Sequence, residues 1–432
     1  LKHTTSEVQL KNGARGLLID IPGATVMSVQ FQFRAGSKFV KGADIYETAH
    51  IMEHMAFGAN ARYKDEHAYE AEFTKNGAYH NAFTSDESMV YIADCADFEW
   101  ERILDLQQLA IAEPRFNDED LVSESGNVRS ELTGYLNNHN RLLWPYMQQA
   151  LGESILTYPQ RLKTISSVTL ADIREHYRRT HTGNNLRFVI AGKLQGRKKR
   201  ILEMLEAMKL NAGERLSIPK DELESTASAL LIKRKEAPNL TFGWSLNIAR
   251  RLADKEIDAM ACANHILTGT LYSRIYGAAR KKGLVYSIWS DTSAYEYSSS
   301  WDFGAQVNLD TVEGLLDIIV REVYALLEGK VTEQEVDAAK QYALGRHQMG
   351  AQTVSQINSW YANRYFFDDT LEDYEARPRA INAIKLESIN KVAREFVASN
   401  CWLLGGVGSA DQELLDKLHA KLEPLFDKVG RQ

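Results

Sequence analysis

The sequence predicts an α+β fold built twice: two pseudo-repeated domains, each a mixed or antiparallel sheet with helices packed mainly on one face. Three observations carry this expectation. Strand-like runs come in succession and are followed by helices, a layer plan with the helices gathered on one sheet face. The order strand, helix ending in Gly, strands, two long helices, helix, strand occurs twice, at about 210 residues per copy. A length of 432 residues leaves room for two such copies.

In the first copy, residues 8–10 and 16–21 are short strand-like runs, and residues 25–33 (TVMSVQFQF) alternate with a period of two. Gly36 closes that strand. Asp44 and Glu47, three residues apart, have the pattern of a capping box at the head of DIYETAHIMEHMAF, a helix of about four turns that Gly58 stops. A helix over residues 66–75 ends at Asn76-Gly77, and AFTSDESMVYIADC reads as two strands about a turn at 85–87. Two longer helices are expected at 97–112 and 117–152, a third at 169–180, a buried strand at 186–192 (LRFVIAG) and a helix at 198–208.

Residues 211–228 (NAGERLSIPKDELESTAS) have Gly, Pro, Ser and charges without a sustained apolar period, the pattern of a linker. They divide the chain into a domain over 1–218 and a second over 229–432. The second copy repeats the order: a strand at 240–248, a helix at 254–267 ending at Gly269, and strands at 285–289 and 301–307. Helices at 312–327, 332–351 and 386–399 and the strand CWLLGGVG follow.

Composition bounds the function class. A 44% hydrophobic content excludes global disorder, and no run approaches the roughly 18 apolar residues of a membrane span, so no membrane partner is expected. A net charge of −7 argues against a nucleic-acid partner, and the run Arg197-Lys198-Lys199-Arg200 reads as a solvated helix face. Cys95, Cys262 and Cys401 are few, odd in number and widely spaced, which favours a reducing, cytoplasmic setting, with organellar or periplasmic ones left open and no leader visible at Leu1. There is neither a G-x-G-x-x-G after a strand nor a Walker lysine motif, which leaves nucleotide chemistry without support.

The chemistry concentrates in His50-Ile51-Met52-Glu53-His54. At about 100° per residue, His50, Glu53 and His54 share one helical arc. Two imidazoles one turn apart can hold one metal ion, and a carboxylate beside them can take a proton from water. The competing reading is a helix with two surface histidines and a Glu. A third ligand cannot be chosen by counting carboxylates. In DEDLVSESGNVRSELTGYL, Glu124 and Glu131 lie seven residues apart on one face, which by itself is also the pattern of a solvated acidic stripe.

H-x-x-E-H is the inverzincin signature, and the chain resembles the pitrilysin/insulinase family of metallopeptidases over nearly its whole length. The half-length, two-domain type, similar to mitochondrial processing peptidase subunits and bacterial two-domain peptidases, fits its size. Family members have a Glu about 77 residues after the second His, here Glu131, and another seven residues earlier, here Glu124, in the context ESGNVRSEL. The segment 77–84 (GAYHNAFT) matches a further motif, HYRRTHTGNNLRFVIAG resembles the end-of-domain strand, and KKGLVYS (281–287) resembles the element that contains a conserved-type Tyr, here Tyr286.

The resemblance implies a zinc endopeptidase with one Zn2+ per chain, held by His50, His54 and Glu131. Glu53 is implied as general base, Glu124 as the residue that orients the site, and Tyr286 as donor to the developing oxyanion. Asn81 and Ala82 are implied on a strand edge that receives a peptide substrate. A competing reading makes Asn81 a turn residue, and Tyr286 a core aromatic of an alternating strand. The family often has Arg seven residues before the Tyr; here that position is Ala279, and Arg280 lies one residue along, a second candidate for substrate binding. Aligning Gly58 with Gly269 sets His50, Glu53 and His54 against Ala261, Asn264 and His265, so the second copy is expected to bind no zinc and His265 to be a packing residue. The implied assembly is a homodimer or a heterodimer with a related chain. The alternatives are a zinc-bearing subunit that needs a second chain, or a non-catalytic scaffold subunit.

Overall fold

The computed structural model describes residues 1–225 and 228–429; linker positions 226 and 227 and the final residues of the second expected domain lie outside the described residues. The chain opens with strands β1 (Thr4–Gln9), β2 (Arg15–Asp20) and β3 (Val26–Phe33). Helices α1 (Thr48–Ala56) and α2 (Glu66–Thr74) lead to the hairpin β4 (Tyr79–Thr84) and β5 (Met89–Ala96). Five helices follow: α3 (Trp100–Ala112), α4 (Asp118–Tyr135), α5 (His139–Ala150), α6 (Tyr158–Thr164) and α7 (Leu170–Thr180). β6 (Leu186–Gly192) and α8 (Lys198–Glu206) close the first copy.

The second copy begins with β7 (Leu230–Lys233), β8 (Asn239–Ile248), α9 (Asp254–Asn264) and α10 (Arg274–Lys281). Strands β9 (Val285–Ala294) and β10 (Ser299–Asn308) precede α11 (Val312–Leu327), α12 (Glu333–Met349) and α13 (Val354–Asp368). The chain continues through α14 (Arg377–Asn382), α15 (Leu386–Ala398), β11 (Cys401–Gly408) and α16 (Gln412–Val429).

Each copy builds a mixed sheet, in the order β1-β2-β6-β3-β5-β4 and β7-β11-β8-β10-β9. In each, one pair is parallel (β2 with β6, β7 with β11) and the others are antiparallel. The second order is the first with β1 removed, so the duplication read from the element order extends to topology.

The two units are not continuous in sequence. One comprises Leu1–Gly134, Tyr158–Pro219 and Gln348–Asp373; the other comprises Tyr135–Thr157, Lys220–His347 and Tyr374–Gln432. A cut at the linker assigns two segments differently: the one with α5 belongs to the second unit and the one with α13 to the first. The helix expected over 117–152 is accordingly two helices. α4 ends at Tyr135, and the Asn138 side chain caps α5 by accepting from Arg141 N (3.0 Å).

The exchanged helices explain an oddity of the strands. In β3, Met27, Val29, Phe31 and Phe33 face one way and Ser28, Gln30 and Gln32 the other, yet all are buried. α13 covers the polar face. Asn358 Nδ2 donates to the backbone carbonyls of Ser28 (2.9 Å) and Val189 (3.1 Å), Ser355 bonds Asp94 (2.6 Å), and Arg187 pairs with Asp369 at its C-terminus. In the second unit α5 packs on β8 and β11 across Gly243 and Gly405. A Cβ on Gly405 would stand 2.8 Å from Met147, so the close approach requires glycine there. The other face of the second sheet packs Trp244, Phe242 and Leu246 into the main core with Trp301 and Phe303 of β10.

Candidate metal centre

α1 is shorter than the sequence pattern suggests. It starts at Thr48, after a 3-10 turn at Ala43–Ile45, and Glu47 makes no side-chain cap. The Glu47 carboxylate is instead turned toward His50 and Arg161, which is why the capping box expected with Asp44 is not formed. Thr48, Ala49, Ile51, Met52, Met55 and Ala56 fill the core side of the helix, which leaves His50, Glu53 and His54 on the remaining arc.

α4 presents the complementary face. Val128 and Leu132 are fully buried and anchor it, and Glu124 and Glu131 sit on the same side. Glu131 Oε2 lies 3.3 Å from His50 Nε2 and 3.6 Å from His54 Nε2. The ligand atoms of His50, His54 and Glu131 all fall within 4.8 Å of one another, the only such group of three among the described residues. The two rings are 5.0 Å apart at 80°, so their Nε2 atoms point at a common space.

Each imidazole is held from behind by a carboxylate. His50 Nδ1 donates to Glu47 Oε2 (3.0 Å) and His54 Nδ1 donates to Glu124 Oε2 (3.0 Å). Asn127 Nδ2 fixes Glu124 in turn, at 3.1 and 3.0 Å from its two oxygens. Glu53, almost wholly buried, accepts from Thr84 Oγ1 (2.9 Å).

The electrostatics follow from four carboxylates around two imidazoles. Burial acts to lower the His54 pKa, but Glu124 and Glu131 outweigh it and push it up to about 10. His50 is raised too, its burial outweighed by Glu131 and Glu47. His50 and then His54 hold the Glu131 carboxyl far below the usual range, and burial raises Glu53. The centre is therefore tuned to hold positive charge, as protons or as a metal ion. Two imidazole nitrogens and one carboxylate oxygen, with both distal ring nitrogens engaged by carboxylates, is a donor set that fits zinc.

Two family models match the chain: Insulinase (Peptidase family M16) over residues 16–157 and Peptidase M16 inactive domain over residues 167–342. The chain belongs to the M16 peptidase family. Among M16 relatives, it is 25% identical to a Rickettsia felis protein described as an uncharacterized zinc protease, over 92% of this chain and 96% of that one. It is 24% identical to the bovine mitochondrial-processing peptidase subunit beta, over 93% of this chain and 84% of that one. A protease from Helicobacter pylori has the same fold, with a TM-score of 0.83 at 17% identity over 94% of this chain and all of that one. A putative M16-like peptidase from Alicyclobacillus acidocaldarius gives 0.79 at 17% identity, over 94% of this chain and 98% of that one.

The other residues singled out in the sequence lie as follows. Asn81 and Ala82 are on β4, the last strand of the first sheet, whose outer edge has no strand beside it among the described residues. Asn81 is therefore in a strand, not a turn. Tyr286 sits near the start of β9 and is 79% exposed, which excludes the core-aromatic reading. Arg280, in the last turn of α10, holds its guanidinium 4.7 Å from the Tyr286 ring centroid. Ala279 is wholly buried, so an Arg at that position would enter the core, whereas position 280 reaches Tyr286.

The M16 inactive-domain match includes the degenerate triad. Asn264 accepts from Trp301 Nε1 (2.9 Å) and donates to Thr292 Oγ1 (3.1 Å). The His265 ring stacks on Tyr342 (4.1 Å, 24°), and its Nδ1 is buried without a hydrogen-bond partner: it packs, but with an unsatisfied ring nitrogen. Sequence reasoning missed the role of Glu47, which it read as a cap, and Arg161, which no spacing relates to the H-x-x-E-H segment. Thr84, the Glu53 partner, was in view as the last residue of GAYHNAFT.

Proposed function

We propose that this chain is a zinc-dependent endopeptidase acting on short or unfolded polypeptides, with His50, His54 and Glu131 as ligands of one Zn2+ and Glu53 as general base. The observation that carries the reading is the convergence of those three ligand atoms within 4.8 Å, with Glu53 on the same helical arc. Zinc held there would supply Lewis acidity toward the scissile carbonyl and the attacking water.

The chain's own residues do the rest. Glu53, kept in place by Thr84, takes a proton from the attacking water and returns it to the leaving amine. Glu124 fixes the ring of His54. The outer edge of β4, at Asn81 and Ala82, accepts an extended peptide as an added strand. Tyr286 donates to the oxyanion as it forms, and Arg280 steadies the Tyr286 ring.

As the family resemblance implies for a half-length chain, the reading includes a pair of chains, in which Tyr286 serves the zinc centre of a neighbour. A zinc-bearing subunit that works only with a different chain is the second reading, and the name of the bovine relative as a subunit favours it. A scaffold role is disfavoured by the intact ligand set.

Glu53→Gln tests the assignment: zinc still binds while cleavage of an unstructured peptide falls by orders of magnitude, and unchanged turnover would sink the base. Assay of the purified chain alone, then with a related chain, separates a homodimer from a two-chain enzyme. Activity that survives thorough chelation overturns the zinc reading.

A further inference from the structure

We infer that Glu47, clamped by Arg161, is a positioning residue for His50: it fixes the imidazole with its proton on Nδ1, so that the Nε2 lone pair faces His54 and Glu131. The inference rests on the zinc reading above and adds to it a residue pair outside the H-x-x-E-H segment.

The geometry is closed on every side. Glu47 has no exposed surface, and a carboxylate so buried stays charged only if it is paired. Arg161 supplies the pairing from α6, with Nε at 2.5 Å from Oε1 and a terminal nitrogen at 3.0 Å from Oε2. The guanidinium is itself flanked by the rings of Tyr46 and Tyr158, at 5.7 and 5.5 Å from their centroids, so it has little freedom to leave. Oε2 is the oxygen that His50 Nδ1 reaches. A fixed anion accepts only from a protonated Nδ1, which in a neutral ring leaves Nε2 as the acceptor. The arrangement repeats on His50 what Glu124 and Asn127 do for His54.

A purely structural pair is the competing account, and the second copy shows what one looks like. The spacing that sets Gly58 against Gly269 sets Glu47 against Asp258, which forms a buried ion pair with Arg377 although the position matching His50 is Ala261. The buried pair therefore exists where the position matching His50 has no imidazole. The difference is one methylene: the longer Glu47 side chain spans both the guanidinium and the ring.

Glu47→Asp and Glu47→Gln separate the accounts. For a positioning role, Glu47→Asp keeps the melting temperature of the metal-free chain near that of wild type. Both variants bind zinc about 10–100-fold more weakly in competition with a chromophoric chelator, and both change the visible spectrum of the cobalt-substituted protein. Zinc affinity within twofold of wild type in both variants overturns the positioning role and leaves the peptidase reading standing. A wild-type chain that binds no zinc overturns both. If neither variant folds, the zinc-loaded wild type decides, with ring-15N histidine and the His50 signal assigned by its loss in His50→Gln. An Nδ1 proton protected from solvent exchange supports the role, and a proton on Nε2 overturns it.

Discussion

The α1–α4 centre and its counterpart on α9 and α12 are one scaffold with two fates. The shared spacing of 211 residues sets Tyr342 against Glu131 and Glu335 against Glu124. In the first unit Glu124 holds His54; in the second, Glu335 holds Arg274 through two bonds of 2.6 and 2.8 Å. Where the first unit converges three ligand atoms on an electron-rich space, the second fills the equivalent positions with Ala261 and a His265–Tyr342 stack. The helices, an acidic residue three positions before His50 and Ala261, and the sheet order apart from β1 are common to both. What distinguishes the candidate metal centre from its counterpart is thus a handful of side chains on a shared frame.

The largest test of that contrast is His50→Ala, which gives the first unit the residue of the second. Losing one of three ligands removes about a third of the ~10–16 kcal/mol typical of a zinc site, or roughly two to four orders of magnitude in affinity. Competition titration measures it, and the metal-free chain should unfold much as wild type does. Asp258→Ala attacks the other side of the comparison. It removes the carboxylate that Arg377 pairs with in the interior and should cost the second unit about 3–5 kcal/mol in urea unfolding, with zinc affinity unchanged.

One buried group in each unit should answer pH in the opposite direction to the other. In the first, burial lowers His176 to about 4, so the unfolded chain binds a proton that the fold refuses. The stability that His176 contributes is full above pH ~6.5 and declines by about 3 kcal/mol as pH falls toward 4. In the second, burial raises Asp302, between Ser245 and Ser300, to about 6. There the fold binds the extra proton, so stability is gained as pH falls from 6 toward 4 and lost as it rises through 6. Unfolding midpoints against pH for His176→Gln and Asp302→Asn should flatten one response each; parallel curves for both variants would break the contrast. The smallest effect is expected from Arg280→Ala, which removes a surface cation–π contact worth ~0.5–1 kcal/mol and should shift turnover only severalfold.

Much of the fold was legible because its strands are periodic and its helices are bounded by Gly and polar caps. Residues 186–192 and 312–327 occupy the expected limits. What stayed hidden was where a polar strand face goes. The alternation of residues 25–33 does not announce that Ser28, Gln30 and Gln32 are buried, because the cover is α13, whose Asn358 bonds the Ser28 backbone from more than 300 residues on. The candidate cluster of His50, His54 and Glu131 was legible because H-x-x-E-H is local and the family spacing supplies Glu131. Arg161 was not, because an ion pair across 114 residues leaves no periodic trace. Glu47 was visible and misassigned, since a Glu three residues after an Asp has the same pattern whether it caps a helix or turns inward.

The exchanged helix α13 sets a timetable. The candidate ligands of the first unit are all made by residue 131 and its last strand by residue 192, but the cover for its polar face ends at Asp369. At typical synthesis rates of ~5–20 residues per second, the nascent sheet waits roughly 10–40 s for that helix. A greasy face left open so long would invite aggregation. Ser28, Gln30, Gln32 and Arg187 instead present to the surroundings a surface that water wets, so the composition of the buried face is also what makes the delay survivable.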